Sequence, residues 1–346
     1  MSAMPSPAIL PILSIPYLCQ LRNSYSLQVY CNLLLVLYWL SVNQLATTRI
    51  APHQCYAPKH PSIPSSNNPA VPTTKGNPMT TASPLKVHIT GVYGLIGNLA
   101  YEHLAAQPQQ YDVYGSGRRF MSSARADADS ITRLPDDHFM IADLANAEAM
   151  TAAITGMDAV LHIAAVPDPS ASFEDVLSSN IVGTYNVLEA CRKADVKRLV
   201  YASSIMATWG YFVYQEPYRA IYEGRQADIP AVIPKVKHTD PTHPTEPYSA
   251  SKVWGEGFCH TYHDKFGLSI VCLRIGGVNK ANTADNPIAK AVWCSHRDVQ
   301  SIIQLALDAT ATPRFDICYG VSANQQRWVD LENSRERLGY LPQDGA

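Results

Sequence analysis

The sequence predicts an α/β protein, a doubly wound parallel sheet with helices on both faces. Three observations predict it. From residue 85 onward, short β-branched runs alternate with helical patterns, as a parallel sheet with crossover helices requires. The run Gly91-Val92-Tyr93-Gly94-Leu95-Ile96-Gly97 stands between the first strand and the first helix. Far downstream, after Tyr201-Ala202-Ser203-Ser204, come Tyr248 and Lys252 in Pro247-Tyr248-Ser249-Ala250-Ser251-Lys252. The glycines imply a dinucleotide. The tyrosine, lysine and serine imply a proton donor that works beside it.

Lys86-Val87-His88-Ile89-Thr90 alternates and carries β-branched residues, the pattern of a strand. The glycines then give a tight turn and a backbone bare enough to approach a pyrophosphate. The helical run Leu99-Ala100-Tyr101-Glu102-His103-Leu104 follows, and its N-terminus supplies free N–H groups. Gly91, Tyr93, Gly94, Leu95, Ile96 and Gly97 are therefore the expected cofactor cradle. The second strand, Tyr111 to Gly115, leads into Ser116-Gly117-Arg118-Arg119. A site for NAD expects an acid there, to accept from the ribose 2′-OH. Two guanidinium groups can instead pair with a 2′-phosphate. The expected cofactor is NAD or NADP, with NADP slightly favoured through Arg118 and Arg119.

The third strand, His138 to Leu144, brings Asp143 and Leu144 to the same end of the sheet. Asp143 either contacts the adenine amino group or caps the helix that follows. The fourth strand, Ala159 to Ala165, ends in Ala164 and Ala165, small enough for a cofactor to lie close. His162 within it reads as a packed histidine. Between Ser204 and Tyr248 lies a long connection with Tyr211, Tyr214, Tyr218 and Tyr222. It is either a tyrosine-lined lid or a packed insertion.

Lys252 stands one helical turn past Tyr248, so both project from one face. A free phenol titrates near ~10, and a neighbouring cation favours its charged form. Tyr248 can then exchange a proton with an alcohol or carbonyl as hydride moves. Ser204 would hold the substrate oxygen, with Ser203 the lesser candidate.

These residues together resemble the extended short-chain dehydrogenases, the NAD-dependent epimerase/dehydratase group, over residues 85 to 346. The likeness includes Asn180-Ile181-Val182-Gly183-Thr184-Tyr185-Asn186, Leu199 to Ser204 and Leu273-Arg274-Ile275-Gly276. Trp293-Cys294-Ser295-His296-Arg297-Asp298 and the runs Tyr319 to Asn324 and Leu338 to Asp344 look like its uronate dehydrogenase-like branch. The resemblance implies a Rossmann-type NAD(P)-binding domain over 85–275 and a small C-terminal substrate-binding region over 276–346. It implies that Lys252 also binds the nicotinamide ribose, and that Asn180 supports a water feeding protons to Lys252. It further implies a homodimer through the helices bearing Asn180 and Tyr248.

The chain departs from that branch in three places. Ile205-Met206 replaces an Asn-His pair that contacts the sugar acid. The arginine that clamps a substrate carboxylate is missing before Trp293, where only Lys290 stands, with Arg297 after it. The acid after the second strand is replaced near Gly117. The expected function is an NAD(P)-dependent oxidoreductase acting on a hydroxyl or carbonyl of a sugar, sugar acid or similar small polar substrate. The alternatives are a nucleotide-sugar epimerase or dehydratase, which the short C-terminal region disfavours, and a cofactor-sensing regulator.

A net charge of −2 gives no sign of nucleic acid binding. The 8 cysteines lack metal-ligand spacing, so no metal is expected and they read as free thiols of a cytoplasmic protein. Residues 1–84 contain no Asp or Glu and 12 of the 25 prolines. They read as a disordered or non-native extension, with Met79 as the alternative start. The apolar stretch Leu27 to Val42 is short of the ~20 residues of a membrane span, but leaves a membrane anchor or an organelle-targeting segment as other readings.

Overall fold

A computed structural model of the chain describes residues 83–120, 131–310 and 314–346. The expectations placed on residues 1–82, the alternative start at Met79 among them, lie outside the described residues.

Seven strands form one sheet: β1 Leu85–Thr90, β2 Tyr111–Gly117, β3 Phe139–Ile141, β4 Ala159–His162, β5 Arg198–Ser204, β6 Ser269–Ile275 and β7 Phe315–Gly320. Their order is β3-β2-β1-β4-β5-β6-β7, and every neighbouring pair is parallel. The order reverses between β1 and β4. Crossovers leave those two strands toward opposite faces, so a crevice opens at their carboxyl ends. This is the doubly wound Rossmann-type fold that the sequence predicts.

The central strands are buried on both faces, and their side chains divide with period two. Val87, Ile89, Leu161, Val200 and Leu273 point into one apolar cluster. Val160, Leu199, Ile270 and Cys272 point into the other. The first cluster is covered by α1 Leu95–Ala105, the second partly by α2 Ala147–Ile154. A short α3, Phe173–Val176, runs through a π-helical segment, Leu177–Val182, into α4 Gly183–Lys193, which also covers the second cluster.

Several element ends differ from expectation, the second strand running on to Gly117 among them. The third strand stops at Ile141, and His138 lies in a 3-10 turn, Asp136–His138. The fourth strand stops at His162, so Ala164 and Ala165 sit in the loop beyond it. Asp143 does not cap the next helix: Asn146 does, accepting from the Ala149 N–H at 2.9 Å.

The long connection after β5 holds α5 Trp209–Tyr214 and α6 Tyr218–Tyr222. It is a packed insertion. Phe212 and Ile221 are fully buried, and Phe212 stacks on Trp328 with ring centroids 5.4 Å apart. The Val236 N–H donates to the Trp328 carbonyl at 2.8 Å, and the Asp330 N–H to the Val236 carbonyl at 2.9 Å. The tyrosine-lined lid is thereby corrected. Tyr218 is buried within the aromatic cluster and Tyr214 faces solvent.

After it come α7 Pro247–Phe266, α8 Pro287–Val292, α9 His296–Asp308 and α10 Glu332–Leu338. The expected division at residue 275 falls between β6 and β7 of one continuous sheet. α9 lies against α1, with the Gln300 side-chain amide donating to the Leu99 carbonyl at 3.0 Å. No helix of the described residues is long and apolar enough to cross a membrane.

Candidate active site

A cleft of ≈ 620 Å³ runs along the carboxyl ends of the strands. The glycine turn with Tyr93, Leu95 and Ile96 lines it, as do Arg118 and Arg119 after β2. Asp143 and Leu144, then Ala164 and Ala165, continue the same wall. Ser204, Tyr248 and Lys252 complete it. Of the expected site residues, Asn180 alone stands behind the lining.

The turn is shaped for close approach. Gly91 has φ +69, a left-handed conformation, and a Cβ there would come within 2.9 Å of the Ala164 Cβ. A Cβ on Gly97 would stand 2.3 Å from the Gly91 carbonyl oxygen. The bond from the Asn98 N–H to the Gly94 carbonyl, 2.8 Å, opens the helical ladder. The N–H groups before it have no acceptor within the helix. They, with the positive end of α1, suit a diphosphate. The residues present therefore fit a dinucleotide.

Arg118 and Arg119 are exposed at the mouth of the cleft. Ser116 turns inward, its hydroxyl 2.9 Å from His88 Nε2. Burial lowers the His88 pKa to about 4, so this ring is neutral. Asp143 is exposed, lines the cleft and accepts from the Ala145 N–H at 2.9 Å.

Tyr248 and Lys252 are placed by the start of α7. The Glu246 carboxylate accepts from the Ser249 N–H at 3.0 Å, and the Ser249 hydroxyl oxygen accepts from the Glu246 N–H at 3.1 Å. With Pro247 in the first turn, this capping box sets the turn that carries Tyr248. Lys252 Nζ donates to the Ala202 carbonyl at 2.7 Å and stands 5.7 Å from the centre of the Tyr248 ring. Burial lowers the Lys252 pKa to about 8, with Cys259 and Glu256 opposing the shift, so it stays mainly a cation at neutral pH.

Ser204 closes β5. Its oxygen accepts from the Met206 N–H at 3.1 Å, and its own proton is left for another acceptor. Ser203 points the other way and donates to Glu256 at 2.6 Å. Asn180, 2 % exposed, holds the loop after β4. Its carbonyl oxygen accepts from the Val166 N–H at 2.8 Å, and its NH₂ donates to the Val166 carbonyl at 3.2 Å and to Ser251 at 3.1 Å. His162 is the packed histidine expected, between Thr90 at 2.9 Å and Thr184 at 3.1 Å. Burial, and then the Lys252 charge, lower its pKa to about 3.

Two features were not read from the sequence. One is a buried polar chain behind the site. Arg274 Nε and Nη2 each donate to Glu256 at 2.8 Å, and Nη1 donates to the Tyr319 hydroxyl at 3.1 Å. That hydroxyl lies 3.1 Å from the Thr208 hydroxyl, just past Ser204. An arginine inside the apolar run Ser269–Ile275 was the available signal, since a buried cation needs an acid. The other is the wall of Met206, Trp209, Val278 and Val292 around the Ser204 end. Only tertiary packing assembles it.

The sequence profile of the NAD dependent epimerase/dehydratase family matches residues 87–282. The L-arabinose 1-dehydrogenase (NAD(P)(+)) of Haloferax volcanii is 31% identical over 75% of this chain and 97% of its own. The uronate dehydrogenase of Pseudomonas putida is 29% identical over 78% of this chain and 87% of its own. The crystal structure of uronate dehydrogenase from Agrobacterium tumefaciens superposes with a TM-score of 0.60 at 26% identity, covering 77% of this chain and 86% of that one.

Proposed function

Since the chain belongs to the NAD dependent epimerase/dehydratase family, we propose that its cleft interconverts a hydroxyl and a carbonyl on a sugar or sugar-like substrate, with NAD or NADP as hydride partner. The observation that carries this reading is a single cleft with a diphosphate-shaped glycine turn at one end and Ser204, Tyr248 and Lys252 at the other. The nicotinamide, when bound, accepts or supplies the hydride. Ser204 donates to the substrate oxygen and orients it. Tyr248 takes the hydroxyl proton in oxidation, or returns it in reduction. The Lys252 ammonium stabilises negative charge on the phenolic oxygen as the proton leaves. Asn180 keeps the loop after β4 against α7 through Val166 and Ser251.

Sequence similarity supports a dehydrogenase over a nucleotide-sugar epimerase. It extends over 97% of the L-arabinose dehydrogenase at 31% identity, but over 50% of a UDP-glucose 4-epimerase from Halalkalibacterium halodurans at 28%. The direct test is absorbance at 340 nm with NAD and NADP against aldoses, uronates and polyols. Turnover of at least one member is expected. Tight cofactor binding with no turnover of any would favour a cofactor-sensing regulator.

Cofactor choice rests on Arg118 and Arg119, with no carboxylate among Ser116 to Arg119 to oppose a 2′-phosphate. NADP is expected to bind at least as well as NAD. Replacing both arginines by Ala should weaken NADP alone by about five- to tenfold, because solvent screens a pair at the cleft mouth. Fluorescence titration with NADPH and NADH reads this directly. Equal loss for both would mean that the arginines only support the loop.

The homodimer is proposed through the helical stretch 173–193, which bears Asn180, and α7, which bears Tyr248. Phe173, Leu177, Val182 and Tyr185 are exposed along that stretch, and the Tyr185 and Phe258 rings, the latter on α7, are centred 6.0 Å apart. Exposed apolar side chains at such density suit a second copy. Sedimentation should give twice the chain mass, and Tyr185→Glu with Leu177→Glu should give the monomer. A wild-type protein that sediments as a monomer at every concentration refutes the dimer.

A further inference from the structure

The walls around Ser204 carry little polar chemistry. The continuation of β5 supplies Ile205, Met206 and Trp209, and that of β6 supplies Val278, with Val292 packed beside it. The backbone between them has partners already. The Gly276 N–H donates to the Gly320 carbonyl at 2.8 Å, and the Gly277 N–H to the Val292 carbonyl at 2.8 Å. The Gly277 carbonyl accepts from the Cys294 N–H at 3.0 Å. Trp209 is held edge-on to Phe212 at 5.0 Å and to Trp328 at 6.4 Å, so its indole presents a fixed surface.

Among the described lining residues the cations are Arg118, Arg119 and Lys252. The two arginines follow β2, which is separated from β5 by β1 and β4. Lys252 is turned onto the Ala202 carbonyl. A carboxylate or phosphate held against this wall would give up water and meet no side-chain cation among the described lining residues, which is unfavourable. A neutral ring would lose little, because its C–H face matches the apolar wall.

We infer that the substrate is electrically neutral and turns an apolar face to Met206, Trp209, Val278 and Val292. A neutral or deoxy sugar fits this, and a uronate or sugar phosphate does not. The inference rests on the oxidoreductase reading above and narrows it.

The test uses two series that differ only at C6: D-galactose, D-fucose and D-galacturonate, and D-glucose, 6-deoxy-D-glucose and D-glucuronate. Each is assayed at 340 nm with saturating cofactor, and its binding to the Tyr248→Phe protein with cofactor is followed by tryptophan fluorescence. In at least one series the CH₂OH and CH₃ members should exceed the carboxylate by about 100-fold in kcat/KM, the deoxy member by as much or more. Met206→Arg should shift the ratio toward the carboxylate by about tenfold or more. A wild-type protein that turns over a uronate as well as its neutral counterpart overturns the inference and leaves the oxidoreductase reading standing. No turnover, with binding that still favours the neutral members, keeps the inference and removes the oxidoreductase reading. Neither turnover nor binding of any neutral member overturns both.

Discussion

The Tyr248→Phe protein is expected to lose turnover by about 10²–10⁴-fold while binding cofactor as the parent does. The substitution removes one oxygen from a buried ring and leaves the capping box, the helix and the Lys252 contact to Ala202 in place. Only the proton path is lost, so the effect should fall on kcat. Lys252→Met should behave differently. It removes the cation beside the phenol and also the hydrogen bond to the β5 carbonyl, so both kcat and cofactor affinity should fall. Stopped-flow hydride transfer together with cofactor titration separates the two. A Phe variant that keeps most of its activity on a good substrate would remove Tyr248 from the proton path.

Glu256→Ala should destabilise the fold by about 3–5 kcal/mol, because it leaves the Arg274 guanidinium buried without its counter-charge. The two side chains are 5% and 2% exposed, so water cannot replace the lost partner. Burial works against the Arg274 charge, yet the two bonds to Glu256 outweigh it and the pKa of Arg274 is raised. The melting temperature should fall by roughly 10 °C. Glu256→Met combined with Arg274→Met should recover part of that loss, since no unpaired charge remains. It should not restore activity, because Ser203 loses its acceptor and Tyr319 loses its Arg274 donor, leaving only Thr208, at the root of the Ser204 turn. A single variant that melts with the parent would mean that solvent reaches Arg274.

The nucleotide half of the fold was legible because its signals are local. A glycine turn between a β-branched run and a helix needs no distant residue to be recognised, and Tyr248 and Lys252 need one helical turn. The resemblance implies a substrate-binding region over 276–346 and names no strand there. Asp316 inside β7 hides that strand, because a carboxylate in a strand reads as surface. In the structure Arg314 and Arg337 flank that carboxylate at the edge of the sheet, which neutralises the signal. The wall of Met206, Trp209, Val278 and Val292 was illegible for the opposite reason. Its members are apolar residues of separate segments, and nothing in their spacing distinguishes a cleft lining from a core. Ile205-Met206 is legible as a loss of polar contacts, whereas in the insertion the tyrosines stand out in sequence and Trp209 lines the cleft.

The pairing of α1 with α9 has a consequence for synthesis. The Gln300 and Gln304 side chains reach Leu99 and His103, each about two hundred positions earlier, and Tyr111 donates to Asp308 at 2.6 Å. The helix that follows the glycine turn thus leans on a segment translated long after it. While the intervening chain is made, one side of α1 stays bare, and closure must wait for a contact of high sequence separation. Such folds form slowly and expose apolar surface during the wait. The segment that carries the recognisable nucleotide signature therefore depends on the last third of the chain being present.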